Sequence, residues 1–146
     1  MKLKQLSLFL ENKPGALSAP VKLLADAKIN LLTLSIAEAQ QYGILRLIVR
    51  DWQAAKKLLE KNGLLVKVTD VLAIEVPDRP GGLADVLVVL EEAGINLEYM
   101  YAFTLKGEGK GLLLFGFDDP DKAIRALQKK KISVVGDAEL FQRLEG

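Results

Sequence analysis

The chain has 146 residues, half of them apolar and about a quarter charged, and a formal net charge of +1. That is room for one ordinary domain or two small ones, and the near-neutral field excludes nucleic acid as the main partner, since phosphate binding draws on clustered Lys and Arg. With no cysteine and no histidine, disulfides, thiol nucleophiles, Ser-His or Cys-His dyads and the usual zinc sites fall together.

The N-terminal stretch MKLKQLSLFLENK sets two lysines before an apolar run. That run spans only Leu6–Leu10, too short for a signal peptide. No stretch approaches 18 uninterrupted apolar residues, so no membrane span is expected and the cytoplasm is the default location. Leu6, Leu8 and Leu10 alternate with Ser7 and Phe9, a first strand. A Pro-Gly turn follows in ENKPGAL, Glu11–Leu17, and then a helix with Leu17, Val21, Leu24 and Ala27 on one stripe. Pro20 removes one backbone hydrogen bond from that helix unless it starts late. A second strand opens at Ile29 and a third covers Ile44–Arg50. Asp51 is a good N-cap for a second helix carrying Ala55, Leu58 and Leu59, and Leu64–Val68 is a closing strand.

The same series then starts again. At an offset of 66 residues, Pro14, Gly15 and Leu17 fall on Pro80, Gly81 and Leu83 of PDRPGGL, and "INL" at Ile29–Leu31 falls on "INL" at Ile95–Leu97. Beyond the second strand the offset becomes 68, placing Asp51 on Asp119 and Leu59 on Leu127. The two added residues are expected in a turn around Lys106–Gly111. The second copy reads as a strand with Leu72, Ile74 and Val76, and a helix with Leu83, Leu87, Leu90 and Ala93. Its second strand presents Leu97, Tyr99, Tyr101 and Phe103 on one face, and its third is Leu112–Phe117. Pro120 then occupies the first position of a helix carrying Ala123, Ile124 and Leu127. The basic run Lys129–Lys131 suits that helix's C-terminal dipole, Ile132–Val135 closes the unit, and Asp137–Leu144 forms an extra helix.

Two units are therefore expected, 1–69 and 70–146, each with the order βαββαβ of the ferredoxin-like arrangement. The fold class is α+β, two tandem units with antiparallel sheets and helices on one face. In Leu112–Phe117 both faces are apolar, and a sheet apolar on both sides is covered on both. The sister repeat or a second chain is expected to cover the bare face, which makes a homodimer the expected state.

An alternating strand, (D/N)-x-P-G-x-L, an amphipathic helix and I-N-(L/I) together resemble the ACT domain, a small regulatory module attached to many enzymes of amino-acid metabolism. The copies are NKPGALSAPVKLLADAKINL and DRPGGLADVLVVLEEAGINL, and the resemblance covers all but the C-terminal tail. It implies a non-catalytic regulator that binds a small amino acid at ACT interfaces. The turn residues Asn12, Lys13, Pro14, Gly15, Ala16 and Leu17 would bind it with Asn30 and Leu31. Their counterparts are Asp78, Arg79, Pro80, Gly81, Gly82 and Leu83 with Asn96 and Leu97. Glycine lets another group approach the backbone, and the helix N-terminus behind each turn suits a carboxylate. Serine-sensing members carry a histidine two residues before the turn Asn; Leu10 and Val76 stand there, which points to an apolar ligand instead. Asp78, which can pair with an ammonium group, favours the second copy over Asn12 in the first.

A different class of reading is a partner-binding subunit of an amino-acid biosynthetic enzyme with no ligand of its own, similar to the acetohydroxyacid synthase small subunit. An enzyme is disfavoured: there is no Gly-rich phosphate loop and no recognisable carboxylate pair. Acylphosphatases and RNA-binding RRM domains share the element order, but their phosphate loop and aromatic strand motif are missing. Neither a cofactor nor a metal site is expected.

Overall fold

The computed structural model describes residues 1–103 and 110–145, with seven strands and five helices. The elements are β1 (Leu3–Glu11), α1 (Ser18–Asp26), β2 (Thr33–Ala39), β3 (Tyr42–Ile48), α2 (Trp52–Lys61), β4 (Val66–Pro77), α3 (Gly82–Glu92), β5 (Leu97–Phe103), β6 (Lys110–Phe117), α4 (Pro120–Lys129), β7 (Val134–Val135) and α5 (Asp137–Glu145). They form two compact units, Lys4–Thr69 and Asp70–Gly146, and Met1–Leu3 go with the second. Lys2 pairs there with Asp121 at 3.1 Å. The chain passes between units inside one strand, since β4 runs through Thr69–Asp70 without a break. Most of the Lys106–Gly111 turn, where the two added residues were expected, lies outside the described residues.

Both units are α+β with antiparallel pairing. In the first, β3 pairs with β1 on one side and β2 on the other. In the second, β6 lies between β4 and β5, and β7 pairs with the far edge of β4. Leu6, Leu8 and Leu10 face the helices over Leu24, Ala55 and Leu59, while Leu72, Ile74 and Val76 do the same over Val86, Leu90, Ala123 and Leu127. Two separate apolar cores result.

The helix ends repeat as closely as the strands. Asp51 and Asp119 accept from the Ala54 and Lys122 N–H groups, both at 3.1 Å, which satisfies one orphan donor at each N-terminus. At the C-termini, Ile29, Leu64, Ile95 and Ile132 each donate back to the carbonyl five residues earlier, with the preceding residue at positive φ. This is the Schellman arrangement, whose left-handed position favours glycine. It holds Gly63 and Gly94, but also Lys28 (φ 59°) and Lys131 (φ 58°). A side chain in this region costs roughly 1–2 kcal/mol, partly offset by glycine's freedom when unfolded. Lys28→Gly and Lys131→Gly are expected each to stabilise by roughly 0.5–1 kcal/mol, and Gly94→Lys to do the reverse, in denaturant titrations.

Some expectations need correcting. Pro20 does no harm because α1 begins at Ser18, which makes Pro20 one of the first-turn residues whose N–H has no intrahelical partner anyway. It is buried, at the position Val86 takes in α3. The core stripe is thus Pro20–Leu24, displaced by one residue from Leu17–Val21, and Leu17 is exposed. The closing strands also differ from expectation. The first opens β4 at Val66, and the second shrinks to Val134–Val135.

In β5 a bulge between Leu97 and Tyr99 breaks the simple alternation. Leu97 pairs with Phe117 and packs on the helix-side core, whereas Tyr99 and Tyr101 pair with Gly116 and Leu114 on the opposite face. The Tyr99 ring takes the room a side chain at residue 116 would need: a Cβ on Gly116 would meet ring atoms at 2.3–2.7 Å.

The doubly apolar strand does not argue for a second chain. Leu112 and Leu114 are 1% and 0% exposed within this one. On the same face, Arg143 of α5 forms an ion pair with Glu75, and Lys110 lies 3.4 Å from the same carboxylate. Burial acts to raise the Glu75 pKa, but Arg143 and Lys110 together outweigh it and hold the group below its ordinary value of 4.5. The contribution is complete above that ordinary value and is lost as pH falls through the lower folded one. Acidification below about pH 4.5 is expected to loosen α5 before α3 and α4, read from their NMR amide shifts, and Glu75→Gln to loosen it at neutral pH.

Candidate functional site

The two Pro-Gly segments are type II turns, which take Pro and then a residue at positive φ. In Lys13–Ala16, Gly15 has φ 88° and the Ala16 N–H donates to the Lys13 carbonyl at 3.3 Å. In Arg79–Gly82, Gly81 has φ 84° and the Gly82 N–H donates to the Arg79 carbonyl at 3.0 Å. Each turn is entered the same way, Lys13 N–H to the Glu11 carbonyl and Arg79 N–H to the Pro77 carbonyl. Each is left the same way too, with the Gly15 and Gly81 carbonyls accepting from Ala19 and Asp85. These backbone bonds recur at equivalent residues.

Beside the first turn lies a cavity of about 400 Å³. Its walls are Leu10, Glu11, Asn12 and Lys13 from the end of β1 and the turn, Ala16 and Leu17 before α1, and Ile36–Glu38, Tyr42 and Gly43 from the β2–β3 hairpin. The Asn12 N–H donates to the Gln41 carbonyl at 3.1 Å, which ties the turn to the hairpin. Register explains the opening. Leu10, Gly43 and Glu38 form one row across β1, β3 and β2, below the rows Leu8–Leu45–Ile36 and Leu6–Leu47–Leu34. Where the upper rows carry leucine in β3, this one has no side chain. Glu11 and Lys13 pair at 2.9 Å, and that mutual hydrogen bond is the chief reason the Glu11 pKa lies below and the Lys13 pKa above its usual value.

The other candidates are spread out. Asn30 and Leu31 line a separate cleft at the far end of α1, with Val21, Ala25, Lys28 and Ile29. Within the unit they do not meet Asn12. In the second unit Gly82 lines a cleft of about 300 Å³ with Glu75, Asp85, Lys110 and Lys131. Arg79 clamps the second turn to α3 through Asp85 at 2.8 Å. Asp78 is exposed and takes no hydrogen bond from its own turn. The Asn96 backbone is held by Asp118 on both sides, its N–H donating to the Asp118 carboxylate and its carbonyl accepting the Asp118 N–H. Leu31, Leu83 and Leu97 pack against the cores.

The ACT domain pair model matches residues 1–144. The chain belongs to the ACT domain pair family. This ACT pair is similar to protein BT0572 from Bacteroides thetaiotaomicron, a solved structure 41% identical over 97% of both chains with a TM-score of 0.89. It shares its fold with the ligand-free regulatory subunit of aspartate kinase from Thermus thermophilus, at 15% identity, 88% and 92% coverage and a TM-score of 0.61. The corresponding Thermus flavus subunit matches at 15% identity, 86% and 90% coverage and the same TM-score. Among curated proteins none matches. No helix among the described residues is long and apolar enough to cross a membrane.

Sequence reasoning missed the half of the ACT pair's first cavity that comes from the hairpin: Ile36, Ala37, Glu38, Tyr42 and Gly43. One signal was available. Gly43 falls on Gly111 at the second offset, and both sit directly across from the end of a first strand, opposite Leu10 and Val76. A glycine inside a strand marks a place where something approaches closely.

Proposed function

We propose that this ACT pair is a non-catalytic regulator that binds a small apolar amino acid beside its Pro-Gly turns. The observation that carries this is the cavity of about 400 Å³ between the first turn and the β2–β3 hairpin, a volume in the range of small-molecule sites. The ligand carboxylate would lie against the N-terminus of α1 at its N-cap Leu17, where the helix dipole favours an anion, and its side chain would lie over Leu10 and Ile36. The repeated turn extends the reading to Asp78–Leu83 with Asn96 and Leu97. Family membership supports a regulatory role in amino-acid metabolism, with a metabolic enzyme and a second copy of the chain as partners.

The second reading, a partner-binding subunit without a ligand, is favoured by one feature. Phe9 and Tyr42 are 54% and 46% exposed and meet edge-to-face at 6.1 Å.

A thermal-shift series against the twenty amino acids separates the two, because a ligand at a hundred times its Kd stabilises by about 2.7 kcal/mol. A branched or aromatic amino acid is expected to raise the Tm. Gly43→Leu, which fills the first cavity from its floor, should suppress a first-unit response, and Asp78→Ala or Asn96→Ala a second-unit one. A Tm unmoved by every amino acid at millimolar concentration removes the ligand and leaves the partner-binding reading.

A further inference from the structure

We propose that Glu38 selects the ligand of the first unit by pairing its carboxylate with the ligand's ammonium group; the inference rests on the amino-acid reading above. Asn12 offers no charge at this turn. Of the two remaining acids on the cavity wall, Glu11 is already neutralised by Lys13 at 2.9 Å. Glu38 is the cavity's excess carboxylate, and among the described residues no ion pair engages it.

Its position follows from strand register. Glu38 pairs with Gly43, on the same face as Ile36 and Leu34, which pair with Leu45 and Leu47. The third residue of an otherwise apolar series on the helix side is thus an acid, set beside a glycine whose missing side chain leaves room above the floor. Leu10, on the other side of Gly43 in the same row, supplies apolar contact. The segment that leads into α1 faces the row through Ala16 and the N-cap Leu17. One wall thus carries the N-cap of α1, where the helix dipole suits a carboxylate, the opposite strand an acid suited to an ammonium, and the floor apolar surface. That arrangement fits a zwitterionic amino acid with a branched or aromatic side chain and disfavours the same skeleton without its amine. A hydrogen bond in which donor or acceptor is charged is about twice as strong as a neutral one.

Calorimetry with two matched pairs tests this: L-leucine against 4-methylpentanoate, and L-phenylalanine against 3-phenylpropanoate. The intact chain is expected to bind at least one amino acid about tenfold more tightly than its amine-free counterpart. Glu38→Gln should weaken that amino acid about tenfold and erase the preference. Glu38 lies exposed on β2, so an unchanged Tm without ligand is expected to show that the variant folds. Glu38→Asp, which keeps the charge, should restore part of the preference. Binding by Glu38→Gln equal to the parent, or a preference for the amine that survives in it, overturns the role of Glu38 and leaves the amino-acid reading standing. Binding lost in Asp78→Ala but not in Glu38→Gln also overturns it, by moving the site to the second unit. If the parent chain binds neither amino acid, the branched-or-aromatic reading falls, and Glu38 with it.

Discussion

Gly82→Ala is expected to be among the most damaging single-methyl substitutions in this protein, lowering stability by about 3 kcal/mol. A Cβ on Gly82 would stand 2.0 Å from the Pro77 carbonyl oxygen and 3.0 Å from its carbon. No rotamer relieves that contact, because both sides of it are backbone. The Pro77 carbonyl is also fixed, accepting from the Arg79 N–H at 2.9 Å. Relief would require opening the turn, the start of α3, or both. The first unit shows why glycine is needed in one copy only. Ala16 holds the equivalent place, where α1 has not yet begun, whereas α3 already starts at Gly82. Thermal unfolding should show Gly82→Ala melting roughly 6–12 °C lower, with Ala16→Gly changing the Tm far less. Equal small effects from the two would mean that the turns differ from the geometry described.

The second large effect is expected from two phenylalanines placed on opposite terms. Phe115 is 0% exposed, lies between Leu72 and Met100 in the sheet register, and meets Phe117 with ring centroids 5.6 Å apart. Truncation to alanine removes the ring and leaves a cavity inside the second core, which costs about 3–5 kcal/mol. Phe9 is 54% exposed and its ring touches Tyr42, so Phe9→Ala should cost about 1 kcal/mol or less. Urea titration followed by far-UV circular dichroism is the suitable measurement, since it reads both units. Trp52 fluorescence reads the first core alone. Costs within about 1 kcal/mol of each other would contradict the burial that separates them.

The difference between these phenylalanines could be read from the chain only in part. Alternation sets Phe9 on the face away from Leu6, Leu8 and Leu10, but Phe115 lies in a strand apolar on both faces, and only the packing of helices decides how deeply each ring is buried. The two Pro-Gly turns, the aspartate caps and the helices and strands of the βαββαβ order were legible for a different reason. Each depends on residues within about five positions of one another, such as Pro14 with Gly15 or Asp51 with Ala54, whose bonds form wherever the segment folds. Pro20 shows the limit of local reading. Its effect on α1 depended on a start two residues later than in α3, and its burial on a stripe displaced by one residue.

What tertiary structure alone decided is cross-strand. The bulge at Leu97–Tyr99 turns Tyr99 and Tyr101 away from Leu97, and Gly116 accepts the Tyr99 ring only because register puts the two opposite. Arg143 reaches Glu75 from a helix nearly seventy residues away, and that pairing contributes to a face that the sequence leaves to the sister repeat or a second chain. The cavity is the clearest case. The turn Asn12–Leu17 announces itself in sequence, but Glu38 and Gly43 become part of the site through the hairpin that aligns them with Leu10. Gly43 marks a close approach but not by what, and nothing near Glu38 signals that meeting, because hydrogen bonding between strands brings together positions that the local chain leaves independent.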